Sequence, residues 1–178
     1  IKPPKKPLKL LDIGCGEGRN AVFFARNGYQ VSAFDLAQDG IDKTKRLADK
    51  VGVEIDVFKA DIIDYRLVDK FDIIFSTGTL HYIPPEFREE IIQNYKKFTT
   101  LNGIHMLSVF VEKPFIAPAP EKEKNAYQWY SGELLRHYHG WEINYSTEEI
   151  FDCMSSGIPH KHATNIILAT NVMKEGKL

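Results

Sequence analysis

Through its first hundred residues the chain alternates short apolar runs with stretches of helical period. Leu8 to Ile13 is a largely apolar run ending in glycines, which predicts a buried strand. Ala21, Phe24 and Ala25 then share one helical face, with Gly28 placed to cap it. Gln30 to Phe34 predicts a second strand. Thr44, Leu47, Ala48 and Val51 recur at helix spacing, and Gly52 ends that pattern. Val53, Ile55 and Val57 alternate as a strand, and Phe71 to Phe75 predicts another. Pro85 suits the first turn of a helix whose inner side carries Phe87, Ile91 and Phe98. Ile104 to Val111 predicts a fifth strand and Gly132 to Tyr138 a short helix. Trp141, Ile143 and Tyr145 alternate, Ser146 to Thr164 reads as mixed and turn-rich, and Asn165 to Val172 predicts a final strand.

Strands alternating with helices predict an α/β fold, a doubly wound, Rossmann-like, mostly parallel sheet covered on both faces. No helix-length pattern separates the last two strands, so the sheet is expected to end in a C-terminal antiparallel strand pair. The 178 residues suit a single domain spanning 1–178. Residues 1–7 form a Pro- and Lys-rich lead-in. The stretch 112–130 includes Pro114, Pro118 and Pro120 and predicts a long loop on the substrate side.

Composition narrows the function classes. Lys+Arg total 23 and Asp+Glu 24, a net charge of -1, which argues against general nucleic-acid binding. No apolar run approaches the roughly 20 residues of a membrane span. Cys15 and Cys153 are the 2 cysteines, too few for a disulfide scaffold. With no signal peptide in the segment, a cytoplasmic location is expected. The chain opens on Ile1 rather than a methionine, as a fragment of a longer protein would. Oligomeric state leaves no trace in the sequence.

The most informative stretch is Asp12-Ile13-Gly14-Cys15-Gly16-Glu17-Gly18-Arg19-Asn20, where the first strand hands over to the first helix. Glycines there allow a tight turn and let a ligand touch backbone. The helix N-terminus behind them offers free N–H groups and partial positive charge. A dinucleotide loop reads G-x-G-x-x-G, and here its third glycine position is taken by Arg19. Asp35 closes the second strand, where an acid accepts hydrogen bonds from ribose hydroxyls in either NAD or S-adenosylmethionine (SAM) sites. A structural turn at the glycines, an exposed turn aspartate at Asp35 and a helix cap at Asp61 are the non-functional alternatives.

The spacing D-x-G-x-G-x-G resembles motif I of the class I SAM-dependent methyltransferases. The resemblance implies that Asp12 lies near the ligand's amino group and that the loop backbone holds its methionine part. It implies that Asp61 binds the adenine amino group and that Ile62 packs on the ring. Thr77 to Tyr82, following Ser76, resembles the motif IV loop of these enzymes. The cofactor contacts then expected are Asp12, Gly14, Cys15, Gly16, Arg19 and Asn20, then Asp35 and Leu36, Asp61 and Ile62, and Ser76 and Thr77. Cys15 is expected as a small residue that fits the loop, not as a nucleophile.

Gly132 to Glu142, read as G-E-L-L-R-H-Y-H-G-W-E, looks like a segment of the tellurite-resistance (TehB-like) methyltransferases. Gly14 to Asn20, read as G-C-G-E-G-R-N, and Phe71 to Thr77 are similar to that group as well. The resemblance runs from about Leu10 to Asn171. It implies SAM as methyl donor, S-adenosylhomocysteine as product, and a small-molecule acceptor such as a tellurium or selenium oxyanion or a small thiol. The family carries a His-Arg pair and a further Arg near its last strand pair. In the matching region this chain has Ile150-Phe151-Asp152-Cys153 and His160-Lys161-His162-Ala163, without the arginines.

On the acceptor side the candidate catalytic residues are His81, Tyr130, His160 and His162, with Tyr82, Tyr127, Trp129 and Arg136 nearby in sequence. His81 could take a proton near neutral pH or simply bond to backbone. Trp129 and Tyr130 could wall a pocket, with core packing the simpler role for at least one. For His160 and His162 a solvated loop is the favoured reading over a catalytic one. Two histidines without an acidic or cysteine partner do not make a metal site, so no metal is expected. Methyl transfer, non-catalytic SAM binding and NAD-dependent oxidoreduction remain the readings open at this point.

Overall fold

A computed structural model describes residues 5–120, 126–154 and 157–172. The strands are β1 (Lys9–Ile13), β2 (Gln30–Asp35), β3 (Asp56–Lys59), β4 (Phe71–Ser76), β5 (Thr99–Val111), β6 (Glu142–Cys153) and β7 (His160–Thr170). The helices are α1 (Arg19–Arg26), α2 (Gln38–Val51), α3 (Pro85–Lys97) and the single turn α4 (Glu133–Arg136), with a 3-10 turn at Leu80–Tyr82. One seven-stranded sheet has the order β3-β2-β1-β4-β5-β7-β6. The first five strands pair in parallel, while β7 runs antiparallel to both β5 and β6. The expected mostly parallel sheet with an antiparallel pair at its end is what forms.

Central strands are apolar because both their faces are covered. Leu10, Leu11 and Ile13 of β1 are fully buried. Leu10 joins Val31, Ala33, Ile73 and Phe24 of α1 on one face. Leu11 and Ile13 join Phe34, Ile74 and the α3 residues Ile91, Ile92 and Tyr95 on the other. Strand order reverses between β1 and its neighbours β2 and β4, which opens a crevice at the carboxyl ends of these strands.

Several boundaries differ from the sequence expectation, for physical reasons. The third strand begins at Asp56, not Val53. Gly52 ends α2 at φ 72, and the Val53 N–H donates to the Ala48 carbonyl, so Val53 belongs to the helix stop. On α3 the inner side is Arg88, Ile91, Ile92 and Tyr95, whereas Phe87 is exposed. An arginine replaces the expected phenylalanine because its guanidinium stacks 4.0 Å over the Trp129 ring and pairs with Glu133 at 2.6 Å. The fifth strand starts at Thr99 rather than Ile104, through a register shift against β4 and a left-handed Asn102 at φ 62. The predicted helix from Gly132 to Tyr138 is only Glu133–Arg136.

The largest correction concerns Ser146 to Thr164. Instead of a turn-rich segment, β6 continues to Cys153 and β7 starts at His160. β6 is an edge strand with almost every residue exposed, so the apolar alternation of Ile143 and Tyr145 stops there, and from Ser146 on polar and charged residues dominate, with Ile150 and Phe151 side by side and not alternating. The expected lead-in 1–7 is described only from residue 5, and 121–125 of the predicted loop lie outside the described residues. The base of that loop is closed by the Glu112 N–H donating to the Trp129 carbonyl at 2.8 Å. Lys113, Ser131 and Glu148 tie it to β6 through a shared hydrogen-bond cluster.

Candidate active site

The glycine loop sits where β1 meets α1 and is clamped from three sides. The N–H groups of Gly14 and Cys15 both donate to the Phe34 carbonyl, at 2.9 and 3.0 Å. Ser76 Oγ at the end of β4 donates to the Ile13 carbonyl at 3.0 Å, and Thr79 Oγ1 to that of Gly14 at 3.3 Å. Thr44 Oγ1 of α2 lies 3.1 Å from the Gly16 carbonyl. These contacts explain two glycines. A Cβ on Gly14 would lie 2.1 Å from Thr79 Oγ1, and one on Gly18 2.6 Å from the Thr44 side chain. Gly16 differs: at φ 54 it is left-handed, yet a Cβ there would meet nothing within 4 Å. Its glycine leaves open space at the turn, as a loop that receives a ligand requires.

Two carboxylates face this turn. Asp35 Oδ2 accepts the Gly16 N–H at 2.8 Å, and its Oδ1 accepts that of Ala37 at 2.8 Å. Each oxygen is thereby held in place with a lone pair remaining. Asp12 is buried at 2% exposure, and its Oδ2 has no hydrogen-bond partner. Burial pushes its carboxyl up to about 7, opposed by a hydrogen bond from the Ala21 backbone and reinforced by the Asp35 charge. An orphaned carboxylate oxygen costs free energy unless a ligand satisfies it. Burial, with the Asp12 charge beside it, pushes the Cys15 thiol up to about 12, so it is protonated and unreactive.

The other expected cofactor residues are spread along the same edge. Leu36 is exposed beside Asp35. Asp61 Oδ1 accepts the Ile63 N–H at 2.9 Å, a local turn contact, and Ile62 is buried in the main core. Thr77 Oγ1 accepts from Ser108 Oγ at 2.9 Å, linking the ends of β4 and β5. Arg19 is exposed and Asn20 half-buried at the start of α1.

The acceptor-side candidates do not form one cluster. His81 is buried, with its ring 4.3 Å from that of Tyr82 and 5.5 Å from that of Phe110. Trp129 is fully buried, its Nε1 donating to the Leu80 carbonyl at 3.2 Å, so it serves packing. Tyr130 is exposed and, with Tyr127, Arg136 and Arg88, lines a concavity of about 650 Å³ between α3 and α4. No residue of the glycine loop lines that concavity. His160 and His162 stand elsewhere, at the free end of the β6–β7 hairpin, with Nε2 atoms 2.9 Å apart. Lys161 is paired with Asp152 at 2.6 Å. Sequence reasoning missed two features. Cys153 lies across from His160, and Arg88 is buried as the anchor of the 128–133 segment.

Comparison with known proteins places this arrangement. A family model described as tellurite resistance protein TehB matches residues 4–157. A probable S-adenosyl-L-methionine-dependent methyltransferase TehB of Haemophilus influenzae is 27% identical over 138 residues, covering 77% of this chain and 47% of the relative. The crystal structure of TehB from Haemophilus influenzae superposes with a TM-score of 0.84 at 25% identity, covering 94% of this chain and 58% of that one. A SAM-dependent methyltransferase structure from Methanosarcina mazei matches with a TM-score of 0.76 at 19% identity, covering 97% and 96% of the two chains, and speaks for the fold. The chain spans about half the length of the curated TehB relative it matches.

Proposed function

The chain belongs to the TehB tellurite-resistance family, and from that premise we propose that it transfers the methyl group of SAM to a small-molecule acceptor with a soft nucleophilic atom. The observation that carries this reading is the pairing of an open, left-handed Gly16 with the orphaned, buried Oδ2 of Asp12 at the strand switch point. The donor set fits SAM. Asp12 offers a carboxylate to an ammonium group, and Asp35 offers two fixed oxygens to a ribose diol. Asp61, Ile62 and Leu36 are the residues for the adenine, and the loop backbone with Ser76 and Thr77 for the methionine part.

When bound, SAM supplies a methyl carbon already activated by a positively charged sulfur. The chain's own task is to align the acceptor and exclude water, which can lower a barrier by about 7–11 kcal/mol. A thiolate or an oxyanion needs no strong base, so a site without a catalytic triad suffices. Of the acceptor-side candidates, His81 in the loop after β4 is kept for this reading, because Tyr130 lines a separate concavity and His160 and His162 stand at the end of the β6–β7 hairpin. With Lys161 committed to Asp152, thiols rank beside tellurite and selenite in an acceptor screen.

Calorimetric titration with S-adenosylhomocysteine, with NAD in parallel, tests the cofactor. Micromolar binding of the first and none of the second is expected. Binding of NAD alone would replace the reading with an oxidoreductase. Binding of S-adenosylhomocysteine without label transfer from methyl-labelled SAM to tellurite, selenite or small thiols would leave a non-catalytic SAM-binding module.

A further inference from the structure

Outside the glycine loop, the free end of the β6–β7 hairpin holds a second constellation. Antiparallel register sets Cys153 opposite His160 and Phe151 opposite His162. Directly opposed residues point to the same face of a ladder, as do residues two apart on one strand. Cys153, His160 and His162 therefore converge, and one ligand atom from each lies within 4.8 Å of the other two. All three are partly buried. Lys161, between the histidines, points to the opposite face and pairs with Asp152.

Ring orientation suits ligation. His160 Nδ1 lies 2.8 Å from the Ile158 carbonyl oxygen. A carbonyl only accepts, so Nδ1 carries the proton and the Nε2 lone pair faces the cluster. Metal-bound histidines are oriented this way, with the distal ring nitrogen donating to a carbonyl. His160 Nε2 and His162 Nε2 stand 2.9 Å apart. Two imidazole nitrogens on one tetrahedral zinc stand about 3.3 Å apart, given Zn–N bonds of about 2.0–2.1 Å. A few tenths of an ångström, with the His162 proton on Nδ1, converts one arrangement into the other. The His162 ring is braced by Phe110 at 4.9 Å and Phe151 at 5.7 Å.

We propose that Cys153, His160 and His162 bind a borderline-soft transition-metal ion, such as Zn²⁺, through one thiolate and two imidazoles. That donor set selects such ions over magnesium or calcium. Three protein ligands leave a fourth position for an exchangeable ligand, the pattern of reactive rather than purely structural zinc sites. The site lies on the side of the sheet where the parallel strands end and the glycine loop sits, because the start of β7 pairs with the end of β5. Phe110 bridges it to His81. A water or a thiol is the chemical class that fits the open position. The proposal stands apart from the methyl-transfer reading and does not need it.

Tag-free protein kept reduced with a phosphine is loaded with Zn²⁺ or Co²⁺, desalted and assayed for metal by mass spectrometry. One equivalent per chain is expected, and the Co²⁺ form should show a thiolate-to-cobalt band in the near ultraviolet. Cys153→Ser should abolish the band, and His162→Gln should weaken retention roughly tenfold or more. His139→Gln, at an exposed histidine outside the cluster, should change neither. A wild-type protein that holds no metal, or a Cys153→Ser protein that holds a full equivalent, overturns the proposal. Circular dichroism checks folding, and His162→Gln carries the test if Cys153→Ser does not fold. S-adenosylhomocysteine binding measured on the same samples separates failure of the metal site from failure of the methyl-donor site.

Discussion

Replacing Asp12 with asparagine removes a charge that the apo protein holds at a cost. Its carboxyl titrates at about 7 instead of 3.8, chiefly because burial strips its water. Those three decades of proton affinity correspond to about 4 kcal/mol. The sign follows from linkage. A raised acid stabilises the fold while protonated, below about pH 4, and that contribution is lost as pH rises through about 7. At pH 8 the Asp12→Asn protein should therefore be more stable than wild type by up to about 4 kcal/mol, or ~10 °C in melting temperature. At pH 4 the two should melt together.

Ligand binding turns the same numbers around. A ligand ammonium beside Asp12 favours its ionised form, so binding should expel the proton that the apo carboxyl holds. With a free-protein value of about 7, nearly one proton should leave per S-adenosylhomocysteine bound at pH 6 and almost none at pH 8. Calorimetry in buffers of different ionisation enthalpy counts those protons. Asp12→Asn should abolish the release and weaken binding by ~10- to 100-fold, the worth of a hydrogen bond to a charged group. A wild-type protein that releases no proton at pH 6, or an Asp12→Asn protein that binds as tightly as wild type, would refute the assignment of Asp12 to the ligand's amino group.

Four further outcomes are expected. Asp35→Ala should weaken S-adenosylhomocysteine at least ~10-fold in the same titration, through loss of charged hydrogen bonds to the ribose. Gly14→Ala should destabilise the apo protein by forcing Thr79 away, whereas Gly16→Ala should cost only ~1–2 kcal/mol in a melt while losing far more in ligand affinity. Arg88→Met strands the Glu133 carboxylate and should cost ~3–5 kcal/mol in denaturant unfolding, with part recovered in Arg88→Met/Glu133→Gln. Burial pushes His105 down to about 3, so it stays neutral in the fold between Thr99 and Tyr138. Its unfolded form takes up a proton below about 6.5, so its contribution is lost as pH falls from there toward 3, at up to about 1.4 kcal/mol per unit. His105→Gln should flatten that acid limb, which runs opposite to the trend from Asp12.

The parallel half of the molecule was legible because its signals are local. Leu8 to Ile13 is apolar on both faces since β1 is covered on both, and glycines mark a loop whose spacing is its chemistry. Asp35 is readable for the same reason: it ends a strand of the expected length, and its place follows from its neighbours. Arg88 was not readable. Helix period put Phe87 inward, and nothing local to α3 tells that Trp129 and Glu133 arrive from more than forty residues away to cover a guanidinium. Sequence pattern reports which face a residue shares with its own element, but not what another element brings to that face.

The hairpin end shows how that limit hides chemistry. His160 and His162 are two apart on one strand, so their common face could be inferred once the strand was known. Cys153 joins them only through register, and register across an edge hairpin is weakly marked where, as beyond Tyr145, the strand's apolar alternation has stopped. A slip of one residue would turn Cys153 to the other face, beside Lys161 in place of His160. The cluster is therefore a consequence of pairing that begins far back, where Ile143 meets Ala169 and a bulge follows before Tyr145 meets Leu168. That one extra residue sets the parity of everything after it, and so decides that a thiol and two imidazoles share a face.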